Sequence, residues 1–159
     1  MKRRNFLAGA GAALAAFPLL RGSIDAQTPS TNYIRPKALR PGDTVGIITP
    51  STPVIDPDRL AVVERTMKYF KLRWKMGKNV GRRSVDYKSF VDERLDDLHA
   101  MFSDPQISAI FALRGGYGAP QLLDRIDYDL IRRNPKIFLG FSDITALHLA
   151  IHKRAGLVT

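Results

Sequence analysis

Ile137-Phe138-Leu139-Gly140-Phe141-Ser142-Asp143-Ile144 is the stretch that decides the fold. Its apolar start predicts a short strand, and the pattern from Ile144 to His152 predicts a helix. Between them, a tight turn would lift the Ser142 hydroxyl clear of a sheet, beside the first N–H groups of the helix. Such a turn suits a nucleophile whose attack creates an oxyanion. Taken alone, however, it fits a helix N-cap serine better, because Gly-x-Ser-x-Gly would need a second glycine.

A second turn of the same kind, Arg114-Gly115-Gly116-Tyr117-Gly118, follows the apolar run 107–113. If the two strands are neighbours, both turns contribute to one site. We then expect the backbone N–H groups of Asp143 and of Gly116 or Gly115 to form an oxyanion hole. Arg114 and Tyr117 are the candidate substrate-binding residues. The alternative is an ordinary tight turn, and the glycine spacing matches neither the dinucleotide fingerprint nor the P-loop.

Working outward, apolar runs and helical patterns alternate along the chain. Strands are predicted at 44–48, 71–76, 107–113 and 137–139. Asp56-Pro57 predicts one helix start, a Ser89–Asp92 capping box predicts another, and further helices are expected over 119–126 and 128–133. This order predicts an α/β fold with a mostly parallel, Rossmann-like sheet flanked by helices, and with ligands bound at the carboxyl ends of the strands.

The first residues predict a separate export segment. Arg3-Arg4 precedes an apolar stretch, Phe6–Leu20, which is typical of a twin-arginine signal peptide. A membrane anchor is the alternative, but the stretch falls short of the ~20 residues that a spanning helix needs. We therefore expect a signal peptide at 1–27, a Pro-containing linker at 28–43 and a domain at 44–159. The mature protein would be periplasmic or otherwise exported, touching the membrane only in transit.

The composition limits the kinds of partner and of site that are expected. The formal net charge of +10 is dispersed along the chain and accompanies no nucleic-acid-binding motif, so no nucleic-acid partner is expected. The absence of cysteine excludes disulfides, thiolate nucleophiles and Cys-based metal sites. His99 is expected on the surface, and neither His148 nor His152 has metal-ligand spacing or a helical position from which to reach Ser142. We expect no metal or cofactor, and no complete catalytic triad in these residues.

Four segments in order carry a family resemblance: Leu39–Ile47, Asp92-Glu93-Arg94 with Asp97-Leu98, Arg114–Gly118, and Asn134-Pro135-Lys136 with Gly140–Thr145. Together they resemble the LD-carboxypeptidase family of serine peptidases, which also contains the microcin-immunity peptidases. The resemblance covers 39–159. It implies a two-domain enzyme with a Ser-Glu-His triad, in which the nucleophile corresponds to Ser142. Because the glutamate and histidine belong to the C-terminal domain, we expect this chain to be the N-terminal portion only.

The resemblance also implies an activity. A full-length member would be a muramoyltetrapeptide carboxypeptidase that removes the terminal D-alanine from peptidoglycan tetrapeptides without a metal ion, and it would form a homodimer. The N-terminal portion is expected to be inactive alone. Two alternatives stay open: a non-catalytic fragment or muropeptide-binding remnant, and a peptidase of the microcin-immunity type. A nucleotide-binding α/β domain is a weaker third, because no phosphate motif is complete.

Overall fold

The computed structural model describes residues 33–159, so the predicted signal peptide and the start of the predicted linker lie outside the described residues. Strands and helices alternate within this part. The strands are β1 (Thr44–Ile48), β2 (Arg73–Met76), β3 (Ile107–Ala112) and β4 (Ile137–Leu139). The α-helices are α1 (Pro57–Tyr69), α2 (Tyr87–Ser103), α3 (Tyr128–Arg133) and α4 (Thr145–Ala155), and short 3₁₀ helices cover Ala119–Leu122 and Ser142–Ile144.

The four strands form one parallel sheet in the order β2-β1-β3-β4. The chain runs from β1 out to β2 and then returns across β1 to β3, so the strand order reverses between β1 and β3. Ligands of open α/β sheets bind at such a reversal, outside the carboxyl ends of the strands. The predicted α/β fold with a parallel sheet is confirmed.

Helices cover both faces of the sheet because side chains of a strand alternate between its faces. Val45, Ile47 and Ala109 form a core with Val63 and Met67 of α1. The larger core lies on the other side, where α2, α3 and α4 pack. Its fully buried members include Ile48, Leu98, Phe102, Ile110, Leu122, Ile131, Ile144, Leu147 and Ile151. No helix within 33–159 is both long and apolar enough to cross a bilayer.

The ends of the first two helices test the predicted caps. Asp56 caps α1 as predicted, and its carboxylate accepts the N–H of Asp58 at 3.0 Å. The predicted start of α2 at Ser89 is wrong. Asp86 is the N-cap, its carboxylate accepts the N–H of Ser89 at 2.8 Å, and the helix begins at Tyr87. Asp86 competes successfully for the cap because its ionised side chain also favours the positive end of the helix dipole.

The helix predicted over 119–126 is also wrong. Only a 3₁₀ helix forms there, at Ala119–Leu122. The contacts at its far end explain the short length. Leu123 O accepts the hydroxyl of Tyr128 at 2.7 Å, and the N–H of Asp127 donates to His99 Nε2 at 3.0 Å, so these two groups do not form the bond that would extend the helix to 126. At the start, the N–H of Ala119 bonds to the carboxylate of Asp143. Asp127 then caps the predicted helix α3 by accepting the N–H of Leu130 at 2.8 Å.

The described part of the predicted linker lies against the C-terminal end of α4. The N–H of Ile34 donates to Gly156 O at 2.8 Å, and the N–H of Val158 donates to Ile34 O at 2.9 Å. The ring of Tyr33 stacks on that of His152 with centroids 4.4 Å apart. Residues 33 and 34 are therefore held to the domain by backbone pairing and by an aromatic contact.

Candidate active site

Three turns meet at the carboxyl edge of the sheet: Thr49–Pro53 after β1, Leu113–Gly118 after β3 and Gly140–Asp143 after β4. The second and third are in direct contact. A Cβ atom placed on Gly115 would lie 2.8 Å from Ser142 Cβ and 2.9 Å from Phe141 O. Any residue larger than glycine at 115 would therefore push the two turns apart. The structure brings the predicted serine and Gly115 together.

Ser142 has a backbone conformation that serines rarely adopt. Its φ is +60°, in the left-handed region, where a Cβ atom costs about 1–2 kcal/mol. Its side chain caps neither the 3₁₀ helix that it begins nor α4, so the N-cap interpretation of this serine is wrong. The residue is exposed at the turn. An exposed serine held in a strained backbone without a capping role is a candidate functional residue.

Candidate oxyanion donors lie beside it. The N atom of Asp143 is 3.1 Å from the point that a Gly115 Cβ would occupy. Within 33–159, neither this N–H nor that of Gly116 donates a hydrogen bond. Gly116 has a φ of +124°, and a Cβ there would overlap the side chain of Thr52. The role of Asp143, Gly116 and Gly115 as oxyanion donors stays a prediction, since it requires a bound substrate to define the oxyanion position.

The carboxylate of Asp143 ties the three turns to one another. Its Oδ2 accepts the hydroxyl of Ser51, from the β1 turn, at 2.5 Å. The same oxygen accepts the N–H of Ala119, just after the glycine-rich turn, at 2.8 Å. Ser51 is fully buried, so this bond also satisfies a hydroxyl that is cut off from water. Asp143 thus uses its side chain for structure while its backbone N–H remains available.

Arg94 on α2 is a residue of this region that we do not predict from the sequence. It is only 4% exposed. Its Nη1 donates to Pro50 O at 3.0 Å, its Nη2 donates to Gln121 Oε1 at 2.7 Å, and its Nε donates to Phe90 O at 2.9 Å. Burial lowers the pKa of the guanidinium from its ordinary value, and the nearby Tyr87 and Asp143 oppose this shift.

A signal for Arg94 was present in the sequence. It lies three residues after Val91 and four before Leu98, so it falls on the apolar face of α2 rather than on the polar face. Its guanidinium carbon lies over the ring of Phe90, 3.8 Å from the centroid. A charged residue that is buried on the apolar face of a helix needs hydrogen-bond partners in the surrounding structure.

Arg114 and Tyr117 flank the glycines at this edge. Arg114 is partly buried, whereas Tyr117 is 89% exposed. The N–H of Tyr117 donates to Thr52 Oγ1 at 3.0 Å, which fastens the glycine-rich turn to the turn after β1. Phe141, on the other side of Ser142, is also exposed. That Arg114 and Tyr117 bind substrate stays a prediction.

The histidines do not supply a base to this serine. His148 Nε2 lies 3.1 Å from Gly140 O, and the ring packs edge-on against Phe138. The prediction that His99 is a surface residue is wrong. It is partly buried, and its Nε2 accepts the N–H of Asp127 at 3.0 Å. Within the described part of the chain, no His side chain bonds to the Ser142 hydroxyl.

This combination of a parallel α/β sheet with a strained serine at its carboxyl edge agrees with comparisons to known proteins. Residues 45–159 match the family model described as LD-carboxypeptidase N-terminal domain. The chain therefore belongs to the LD-carboxypeptidase family, as the four sequence segments had suggested.

Individual relatives support the same assignment. The chain is 45% identical over 130 residues to a Bacillus subtilis protein named "Probable murein peptide carboxypeptidase", covering 82% of this chain and 40% of the relative. It is 36% identical over 110 residues to the "Murein tetrapeptide carboxypeptidase" of Pseudomonas aeruginosa, covering 69% of this chain and 36% of that protein. Both proteins carry names of murein carboxypeptidases.

A solved structure gives the same fold. The MccF-like protein from Bacillus anthracis superimposes with a TM-score of 0.70 and 33% sequence identity, covering 77% of this chain and 38% of that one. The chain thus spans about 40% or less of the length of each of these three relatives. These comparisons show the family of the chain, and the activity of the whole protein is a proposal.

Proposed function

We propose that this chain is the nucleophile-bearing part of a serine-type LD-carboxypeptidase that removes the terminal D-alanine from murein tetrapeptides. The observation that carries the proposal is the left-handed Ser142, packed against Gly115 beside the backbone N–H of Asp143. Membership of the LD-carboxypeptidase family supports it, and so do the names of the two murein carboxypeptidases among its relatives.

In the proposed reaction, Ser142 Oγ attacks the carbonyl carbon of the amide bond between the L-centre of the penultimate residue and D-alanine. A general base takes the hydroxyl proton, and the N–H groups of Asp143 and Gly116 stabilise the resulting oxyanion. The C–N bond then breaks, and the base returns its proton to the leaving amine of D-alanine. Water, deprotonated by the same base, hydrolyses the acyl-serine ester and regenerates the hydroxyl.

The base and its orienting carboxylate are proposed to come from a second domain. The family resemblance implies a histidine and a glutamate for these roles. Without them, a serine hydroxyl near neutral pH is a weak nucleophile, so residues 33–159 alone are expected to release little or no D-alanine. Activity is therefore tested on the natural full-length protein.

The test incubates purified full-length protein with murein tetrapeptide and measures D-alanine by chromatography. We expect release by the wild type and its loss in Ser142→Ala. Ser103→Ala is the matched control, because that hydroxyl lies on the exposed end of α2 and bonds only to Ala100 O in the described structure. Release that persists in Ser142→Ala, or that the wild type never shows, would contradict the proposal.

A peptidase of the microcin-immunity type is the second candidate, favoured by the likeness to the MccF-like protein. The same serine would then cleave an aminoacyl-nucleotide amide bond rather than a muropeptide. Parallel incubation with such a compound separates the two functions. Cleavage of the aminoacyl nucleotide without release of D-alanine from tetrapeptide would favour this candidate.

We also propose that the protein is exported by the twin-arginine route, which would deliver it to an envelope substrate. Arg3 and Arg4 support this, together with the apolar stretch that follows them. Cell fractionation of the wild type should find the mature form outside the cytoplasm. Replacement of both arginines by lysine should retain the precursor inside, and export of that variant at the wild-type level would contradict the proposed route.

A further inference from the structure

Arg94 is a buried cation without a carboxylate partner among the described residues. No ion pair to it occurs within 33–159. Instead, its guanidinium donates to two backbone carbonyls and one amide oxygen. Burying a charge in this way is costly, and a well-packed apolar residue of similar volume is often as good for stability. The positions of its hydrogen-bond partners indicate a role for Arg94 other than stability.

Those partners belong to the turns that surround Ser142. Nη1 holds Pro50, in the turn after β1, and Nη2 holds Gln121, in the 3₁₀ helix that follows the glycine-rich turn. Gly118 lies directly against the guanidinium, since a Cβ there would come 2.6 Å from Nη1. Arg94 therefore joins the turn after β1 to the far end of the glycine-rich turn.

Asp143 joins the same two segments independently. It bonds to Ser51, the neighbour of Pro50, and to Ala119, two residues before Gln121. The two segments are thus connected by two independent sets of hydrogen bonds, one from Arg94 on α2 and one to Asp143, which follows Ser142. If the first connection is lost, only the bonds of Asp143 still join the two segments, and the backbone N–H of Asp143 is one of the two proposed oxyanion donors.

We propose that Arg94 is a positioning residue for the reaction of Ser142. By its hydrogen bonds to Pro50 and Gln121, it keeps the glycine-rich turn and Asp143 in the geometry that the proposed oxyanion hole requires. This inference rests on the proposed serine-peptidase function. Because Arg94 is only 4% exposed, we expect its removal to slow the chemical step more than it weakens substrate binding.

Kinetics of the full-length protein test this. In Arg94→Gln we expect kcat per folded molecule to fall by about 10- to 100-fold, because small misplacements of catalytic groups have effects of that order. KM should change by less than about threefold, since a residue that acts only in the chemical step leaves uniform binding intact. Arg94→Lys should not restore kcat, because an ammonium cannot reproduce the planar fork that reaches two turns.

Three further variants guard against a folding defect. Gln121 is exposed, so Gln121→Ala removes one arm of the connection without emptying the core, and it should lower kcat in the same direction by a smaller factor. Gln121→Glu keeps an acceptor for Nη2 and should retain kcat. Arg125→Gln is the surface control, because Arg125 pairs with Asp92 at 2.6 Å and is half exposed.

Hydrogen exchange separates this inference from the proposed function. In Arg94→Gln and Gln121→Ala, we expect the amides of Ala119 and Gln121 to exchange faster while those of β1 and β3 stay protected. This result does not depend on which substrate the enzyme cleaves. Unchanged exchange at 119–121, or an unchanged kcat per folded molecule of an active wild type, would overturn the positioning role. Absence of D-alanine release by the wild type would instead count against the proposed function.

Discussion

At the scale of single residues, Ser142 combines three properties that rarely coincide. Its backbone is left-handed, its side chain caps no helix, and its Cβ side faces a glycine that no other residue could replace without a clash. Left-handed serine is strained, and only the surrounding contacts maintain it. The bonds of Asp143 to Ser51 and Ala119 are such contacts. The strain at Ser142 is thus supported by the residue next to it.

This strain is measurable through substitution. Ser142→Gly should be more stable than Ser142→Ala by about 1 kcal/mol, because glycine adopts a positive φ without the penalty of a Cβ atom. Urea unfolding gives the two free energies of unfolding. The same pair at Ser108 in β3 is the control, and there the order should reverse, since glycine weakens a strand. Equal stabilities of the two Ser142 variants would contradict the observed backbone conformation.

At the scale of elements, polar residues at helix ends and between helices determine how α2 is placed. Asp86 starts the helix, and His99, three turns further on, accepts the N–H of Asp127 at the start of α3. Arg94 lies between them on the buried face. The helix that carries Arg94 is therefore capped at its start and bonded to the start of α3 towards its end.

The cap of α2 can be tested directly. Asp86→Ala should lower the free energy of unfolding by about 1 kcal/mol, because the N–H of Ser89 loses its acceptor. Asp86→Asn keeps an oxygen acceptor and should recover most of that loss. Chemical denaturation of the three proteins measures both effects. If Asp86→Ala unfolds at the wild-type denaturant concentration, the helix does not depend on this cap.

His99 predicts a pH dependence. Burial lowers its pKa below the ordinary value of 6.5, with Asp127 and Asp96 opposing the shift, and its Nε2 must be unprotonated to accept the N–H of Asp127. As the pH falls, His99 is therefore protonated at a higher pH in the unfolded chain than in the folded chain. The stability contributed by this group is complete above 6.5 and is lost as the pH falls through that value towards the lower folded-state pKa.

The measurement is the free energy of unfolding from about pH 7.5 to pH 5, which brackets the titration of histidine. We expect the wild type to lose stability on acidification and His99→Gln to lose less over the same interval. An identical loss in both proteins would show that His99 does not titrate differently on folding. His152→Gln, on α4, is the control that removes another partly buried histidine.

At the scale of the whole molecule, the sequence was sufficient to predict the parallel sheet and to predict that the turns after its strands lie close together. Apolar runs marked three strands, alternating basic and apolar residues marked β2, and parallel topology requires the carboxyl ends of all four to share an edge. The features that could not be predicted from the sequence depend on contacts between residues that are far apart in the chain. The helix from Ala119 is short because the N–H of Asp127 bonds to His99 on another helix, and the burial of Arg94 depends on Pro50 and Gln121, which are far away in sequence. Local patterns do not encode such partners.

The most direct test of the central claim is to trap the acyl intermediate on Ser142. Full-length protein reacted with murein tetrapeptide is quenched in acid, cleaved after lysine and arginine, and analysed by mass spectrometry. Residues 137–153 form a single peptide that contains this serine. We expect that peptide to gain the mass of the tetrapeptide less D-alanine, with fragmentation locating the adduct on Ser142, and to gain nothing in Ser142→Ala. An adduct on another residue, or one that persists in Ser142→Ala, would contradict the assignment of Ser142 as nucleophile.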